Sequence, residues 1–251
     1  MYNYKKVCVV TGASGGIGKA IVKKFYDNDF HVVLLATNEA TLKNTMQEGN
    51  YDLRRVEYFS LDISNEELVK KTTASIVEKY KRIDALVNAA GITGRYDPTI
   101  DYSFENFKRI YSINVFGTFL MMQNVLPQMV EQKSGAIVNI GSISGMTGYT
   151  FEIGYGSSKW AVIGMTKNVA NEYGQFGIRA NSVSPGWVDT AMLKTSLENY
   201  KEFSDAKVTF GPAGRPAEPA EIADVVYFLC SNEARFINGS NILVDGGMML
   251  G

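Results

Sequence analysis

The chain has 251 residues, and its 25 basic and 26 acidic side chains leave a formal net charge of -1. That balance gives no electrostatic attraction for nucleic acid or an anionic membrane, and no apolar run approaches the ~18 residues of a membrane span. Two cysteines far apart, Cys8 and Cys230, and one histidine, His31, match no zinc or redox spacing, so no metal is expected. One domain over residues 1–251 is expected, in the cytoplasm, with a first strand near Lys5 that leaves no room for a targeting segment.

Apolar β-branched runs alternate with segments of helical period, the pattern of βαβ units wound on both faces of a parallel sheet. Strands are predicted at Val7–Thr11, His31–Leu35, Arg54–Leu61, Ile83–Asn88, Ala136–Ile140, Ile178–Val183 and Asn241–Val244. Helices are predicted at Ile17–Asp29, Glu39–Gln47, Asn65–Tyr80, Phe104–Val130, Phe151–Gly174 and Pro219–Ser231, with Pro127 ending or kinking the fourth. Ser184–Pro219, with four prolines and scattered aromatics, reads as an irregular excursion from the sheet; its stretch at about 186–217 is the expected substrate loop.

Directly after the first strand comes Thr11-Gly12-Ala13-Ser14-Gly15-Gly16-Ile17-Gly18, which opens the first helix. Gly12 permits a tight turn, Gly16 lets the backbone approach a pyrophosphate, and Gly18 allows close helix–strand packing. The helix N-terminus adds free amides and a positive dipole end. The second strand runs into Ala36-Thr37-Asn38, with no acid before Glu39 to repel a 2′-phosphate. Thr37 and Asn38 can donate to such a phosphate, which favours NADP and leaves NAD open.

The fifth strand delivers the chain to Ser142; Tyr155 follows, and Lys159 stands at i+4 from it. Residues at that spacing share one helix face, so a hydroxyl, a phenol and an ammonium converge where a carbonyl can be polarised and protonated. A free tyrosine titrates near 10, and service at pH 7 asks for a shift worth roughly 4 kcal/mol. A cation at ~4 Å in an effective dielectric of ~20 supplies about that, so Lys159, helped by the charge of an oxidised nicotinamide, is expected to suffice.

With the glycine loop, Asn88-Ala89-Ala90-Gly91, Asn114, Ser142, Tyr155 and Lys159 in order, the sequence resembles the short-chain dehydrogenase/reductase family over nearly its whole length. It is most similar to the 3-oxoacyl-carrier-protein reductase type. The resemblance implies a Rossmann fold of about seven strands flanked by helices, and a reversible transfer between a nicotinamide and a ketone or secondary alcohol. It places Gly12, Ser14, Ile17 and Gly18 at the cofactor phosphates, Asp62 and Ile63 at the adenine, and Asn88, Ala89, Ala90 and Gly91 along the adenosine ribose. The family often carries a second asparagine where this chain has Ala89. Pro185, Gly186, Val188 and Thr190 fall in the segment that holds the nicotinamide carboxamide. Ser142 would bind the substrate oxygen, Tyr155 would be the acid or base, and Lys159 would hold the nicotinamide ribose. Asn114 would anchor a water that connects Lys159 to solvent.

The same resemblance implies a homotetramer, with Phe116, Phe119, Trp160, Val162 and Met248-Met249-Leu250 as candidate interface residues. Met146, Tyr149, Phe151, Tyr96, Trp187, Met192, Leu193, Tyr200 and Phe203 are expected to wall an apolar substrate pocket. Basic residues that would hold an acidic carrier protein are replaced by Gln175 and Phe176, with Lys133 as the one counterpart. A dinucleotide-binding sensor without redox chemistry is the alternative in another class. A nucleotide-sugar epimerase or dehydratase is expected to need a larger C-terminal substrate domain.

Overall fold

Strand and helix formers alternate as expected, and all seven strands are found in a single parallel sheet in the order β3-β2-β1-β4-β5-β6-β7. The computed structural model describes residues 6–203 and 209–250, and the side chains of all of these except 199–203. The strands are β1 (Val7–Thr11), β2 (His31–Ala36), β3 (Val56–Ser60), β4 (Ala85–Asn88), β5 (Gly135–Ile140), β6 (Ile178–Pro185) and β7 (Asn241–Val244). The helices are α1 (Gly16–Asp27), α2 (Glu39–Glu48), α3 (Glu66–Tyr80), α4 (Phe104–Tyr111), α5 (Thr118–Gln132), α6 (Ile153–Tyr173), α7 (Ala191–Phe203) and α8 (Pro219–Cys230).

Every residue of β1 is buried, which explains its uninterrupted apolar run: a parallel strand with helices on both faces has no wet side. Cys8 and Val10 pack with Ile21 and Phe25 of α1 and with Val226 and Leu229 of α8. Val7 and Val9 face the opposite layer, with Val69 and Ile76 of α3 and Met121 and Val125 of α5. Helix starts are local: Asn38, Asn65 and Ser103 each accept the amide three residues on, from Thr41, Leu68 and Asn106. Cys8 and Cys230 are free thiols, and burial pushes both upward, so they behave as core residues.

Three expectations are corrected. The helix foreseen over Phe104–Val130 is split: α4 gives way to a π-helical turn over Ser112–Gly117 before α5 resumes. Gly117 lets that turn press on Ile63, whose Cγ1 would lie 2.6 Å from a Cβ there. Pro127 does not end α5, which runs on to Gln132. Val125, Leu126, Gln128 and Met129 around it are buried against the sheet and α3, and that burial outweighs the missing amide. The excursion after β6 is not wholly irregular, because Ala191–Phe203 forms α7. The prolines that argued against a helix (Pro185, Pro212, Pro216 and Pro219) flank it without entering it. Ser184 and Pro185 belong to β6 itself.

Candidate active site

All the loops singled out in the sequence leave the carboxyl ends of the strands. The order of the sheet reverses between β1 and β4, and a crevice opens there, as it does in doubly wound sheets. Two cavities adjoin. An outer cleft of about 640 Å³ is lined by Gly12, Ser14, Gly16, Ile17 and Gly18, by Thr37, Asp62 and Ile63, and by Ala89, Ala90 and Gly91. An inner cavity of about 250 Å³ is lined by Ser142, Tyr155 and Lys159 and by Pro185, Gly186 and Val188. Ile17, Ala89, Gly91 and Thr190 line both, so one continuous space turns from the glycine loop towards Tyr155.

The glycine loop is held by contact as much as by conformation. Gly12 has φ +64° and a Cβ there would stand 2.7 Å from the Ala90 backbone. Gly18 brings α1 so close to the loop that its Cβ would fall 2.1 Å from the Gly12 carbonyl oxygen. Gly16 abuts Thr190, whose Cγ2 would be 2.5 Å from an added Cβ. Thr190 thus joins the loop after β6 to the loop after β1, and its hydroxyl also accepts the Leu193 amide at the start of α7 (3.4 Å). Gly18→Ala is expected to destabilise the protein by about 2 kcal/mol, lowering Tm by ~4–8 °C, and to weaken dinucleotide binding. Calorimetric melting with and without the dinucleotide measures both.

Ser142, just after β5, accepts the Ser144 amide (3.1 Å) and is hydrogen-bonded to the Tyr155 phenol. Lys159 Nζ is 5.6 Å from the centre of the Tyr155 ring and donates to the Ile140 carbonyl (2.8 Å). Burial sets the protonation of both groups: the Tyr155 phenol is pushed up to about 12, with the Ser142 bond opposing and the Glu152 charge adding to the rise. Desolvation lowers Lys159 to about 8. Lys159 was expected to act together with the charge of an oxidised nicotinamide, and without that charge it does not offset burial. In this pocket the phenol rests protonated, because taking its anion out of water costs more than a buried, partly deprotonating lysine returns.

Asn114 and Asn88 do not line the space; they support its walls. Asn114, in the π-helical turn, accepts the Ile92 amide (2.9 Å) and donates to the Ile92 carbonyl (2.9 Å) and the Ser158 hydroxyl (3.0 Å). A Cβ on Gly91 would stand 3.2 Å from Asn114 Oδ1 and 3.5 Å from Lys159 Nζ, so both groups face one narrow gap. Asn88 donates to Asn139 (2.8 Å) across the β4–β5 pair, and Asn139 donates on to Thr166 (2.8 Å). Among the expected pocket residues, Tyr96, Tyr149, Trp187, Met192 and Leu193 line the inner cavity. Met146 instead meets Asn241, Phe151 is not in the lining, and the side chains of Tyr200 and Phe203 lie outside the described residues. Two charged residues of these cavities were missed in the sequence. Glu152 was legible by counting back one helical turn from Tyr155, whereas Arg109 reaches the outer cleft from α4 with no local pattern to mark it.

The family described as enoyl-(acyl carrier protein) reductase (adh_short_C2) matches residues 12–249. The chain belongs to the short-chain dehydrogenase/reductase family. It is similar to 3-oxoacyl-[acyl-carrier-protein] reductase of Thermotoga maritima, 35% identical over 245 residues and covering 98% of each chain. The crystal structure of levodione reductase superposes with a TM-score of 0.93 at 32% identity, over 98% of both chains. That of ElxO with NADP bound superposes with a TM-score of 0.91 at 33% identity, over 98% of this chain and 100% of that one. As a family member the chain is an oxidoreductase that interconverts ketones and secondary alcohols with a nicotinamide dinucleotide.

The outer cleft fits such a dinucleotide on the chain's own features. The N-cap of α1 is Gly15, with no side chain bonded to the amides of the first turn, and that turn contains no acid to repel a phosphate. Behind the cleft the Oδ1 atom of buried Asn88 has no hydrogen-bond partner, an acceptor suited to a ribose hydroxyl or to a donor ordered by one. Among the described residues no group of three or more His, Cys, Asp or Glu side chains is placed to hold a metal ion. No helix among them is long and apolar enough to cross a membrane.

Proposed function

We propose that Ser142, Tyr155 and Lys159 form the reacting end of the dinucleotide site, in a single catalytic domain spanning residues 1–251 with a substrate-covering excursion over 186–217. The carrying observation is their convergence on one cavity that is continuous with the glycine-loop cleft. When bound, the nicotinamide supplies or accepts two electrons as hydride at its ring carbon C4. Ser142 donates a hydrogen bond to the substrate oxygen and stabilises the charge that develops there. Tyr155 hands its proton to that oxygen in reduction and takes one back in oxidation. Lys159 keeps a positive charge beside the phenol, and Asn114 holds Gly91 and Ile92 against it.

Gly12, Ser14, Ile17 and Gly18 hold the phosphates, Asp62 and Ile63 the adenine, and Val188 and Thr190 the nicotinamide end. NADP is favoured over NAD. Thr37 lines the cleft at the end of β2, Arg109 brings a guanidinium into it, and Glu39 is drawn off to Lys43 (2.8 Å). Following absorbance of the reduced nicotinamide, kcat/KM with NADPH is expected to exceed that with NADH by ~10-fold or more, across a panel of ketones. A reversed preference would overturn the NADP assignment. Tight dinucleotide binding with no turnover of any carbonyl would favour a sensor.

Lys133 and the Gln175–Phe176 turn meet at the amino ends of β5 and β6, opposite the inner cavity, which supports a free substrate over a carrier-bound one. A cytoplasmic homotetramer is the favoured assembly. Phe116, Phe119 and Trp160 are 56%, 47% and 54% exposed around the start of α5 and on α6, an apolar area that a second copy would cover. Val162 is buried within the subunit and is not free for that interface.

A further inference from the structure

Glu152 precedes the first turn of α6, three residues before Tyr155, and lines the inner cavity. Only 7% of the residue is exposed, yet its Oε2 atom has no hydrogen-bond partner. The Ser144 hydroxyl meets the carboxyl group, and no cation contributes to the electrostatics of that carboxyl. Burial pushes this carboxyl upward, and its charge in turn opposes ionisation of Tyr155. A buried acceptor without a donor is destabilising, and a bare carboxylate here also works against the phenol that must cycle its proton. The first cost is removed when a donor enters the cavity and binds the open oxygen.

We propose that Glu152 accepts a hydrogen bond from a hydroxyl on the substrate, one or two bonds from the reacting carbonyl. Hydroxyketones and the matching diols are then the preferred substrate class, over plain ketones and alcohols. Residues one helical turn apart place their Cβ atoms ~5–6 Å from each other, a span that suits oxygens on neighbouring carbons held by the two side chains. Trp187, Met192 and Leu193 supply the apolar wall for the carbon skeleton. Glu152 gives and takes no proton in this scheme; it selects and orients. The proposal rests on the ketone-reductase reading of Tyr155.

The test compares kcat/KM for 3-hydroxy-2-butanone and 2-butanone, matched except for the hydroxyl. Wild type is expected to favour the hydroxyketone by ~10–100-fold, the range of a hydrogen bond to a charged buried acceptor. In Glu152→Leu the ratio is expected to collapse towards one. A wild-type ratio near one, or a ratio untouched by the substitution, overturns the proposal. Should the leucine variant fail to fold by circular dichroism, Glu152→Gln is read instead. Its neutral oxygen is a weaker acceptor, so a several-fold lower ratio is expected and an unchanged one overturns the proposal. Calorimetric titration of the NADPH-loaded protein with 2,3-butanediol and 2-butanol reads the same contact without turnover, because the reduced dinucleotide accepts no hydride, and equal affinities overturn it. Failure of the wild type to reduce any ketone refutes the reductase reading alone, because the titration still reports on Glu152.

Discussion

Tyr155→Phe is expected to lower turnover by roughly 10³-fold while NADPH affinity stays within a few-fold of wild type. The phenol is the one acidic proton in the inner cavity that Ser142 addresses and Lys159 flanks, and phenylalanine keeps the ring while removing that proton. The fold should tolerate the change. Ser142 keeps its bond from the Ser144 amide, and losing one hydrogen bond costs about 1 kcal/mol. The direction of the reaction adds a second readout. Burial holds the phenol up to about 12, so reduction starts from the protonated form the pocket already favours. Oxidation needs the phenolate, and its rate is expected to climb with pH from neutral into the alkaline range. Near wild-type turnover in the variant, measured by nicotinamide absorbance, would refute the role of Tyr155. Intact turnover with lost NADPH fluorescence enhancement would refute the division of labour.

Lys159→Met should be more stable than the wild type and nearly inactive. Lys159 is 5% exposed, and desolvation lowers it to about 8, against roughly 10.4 in an unfolded chain. The folded state therefore binds this proton more weakly than the unfolded one. Below pH 8 both states carry it and the penalty of about 3 kcal/mol is complete. As pH rises from 8 towards 10.5 the folded lysine sheds its proton first and the penalty fades. Methionine escapes that cost but leaves the Ile140 carbonyl without its 2.8 Å donor, a loss of about 1–2 kcal/mol. The balance predicts a Tm higher by ~2–8 °C at pH 7, with the gap narrowing by pH 10. Turnover is expected to fall ~10²–10³-fold, because the charge beside Tyr155 is gone. A variant that melts below wild type by the same margin at every pH would show that the lysine is not under strain. Stability given up at a buried cation is common where function needs the cation.

Much of this site was legible before any fold was known, and the reasons are local. Gly12, Gly16 and Gly18 sit where a strand turns into a helix, and the Ala90 backbone, the Thr190 side chain and the Gly12 carbonyl respectively leave no room for a side chain. Tyr155 and Lys159 share a face because helical spacing requires it. Thr37, Asp62, Asn88 and Ser142 follow strand ends, and in a parallel sheet all such ends open on one side. Other features left no local trace. The turn at Ser112–Gly117 holds only weak helix formers, yet nothing local marks its wider winding, which packs against Ile63 and Ile92 from other parts of the chain. α7 was hidden because neighbouring prolines and scattered aromatics masked its period. Val162, a candidate for an interface between copies, is buried within the subunit.

The sequence by itself determined the seven strands, the glycine loop and the hydroxyl–phenol–ammonium set, since periodicity and spacing act over a few residues. Only the tertiary structure decided that Lys159 spends its proton on Ile140, that burial outweighs its effect on Tyr155, and that Glu152 is left with an open acceptor inside the cavity. Those outcomes depend on desolvation, which is set by everything that packs around a group and not by its neighbours in the chain.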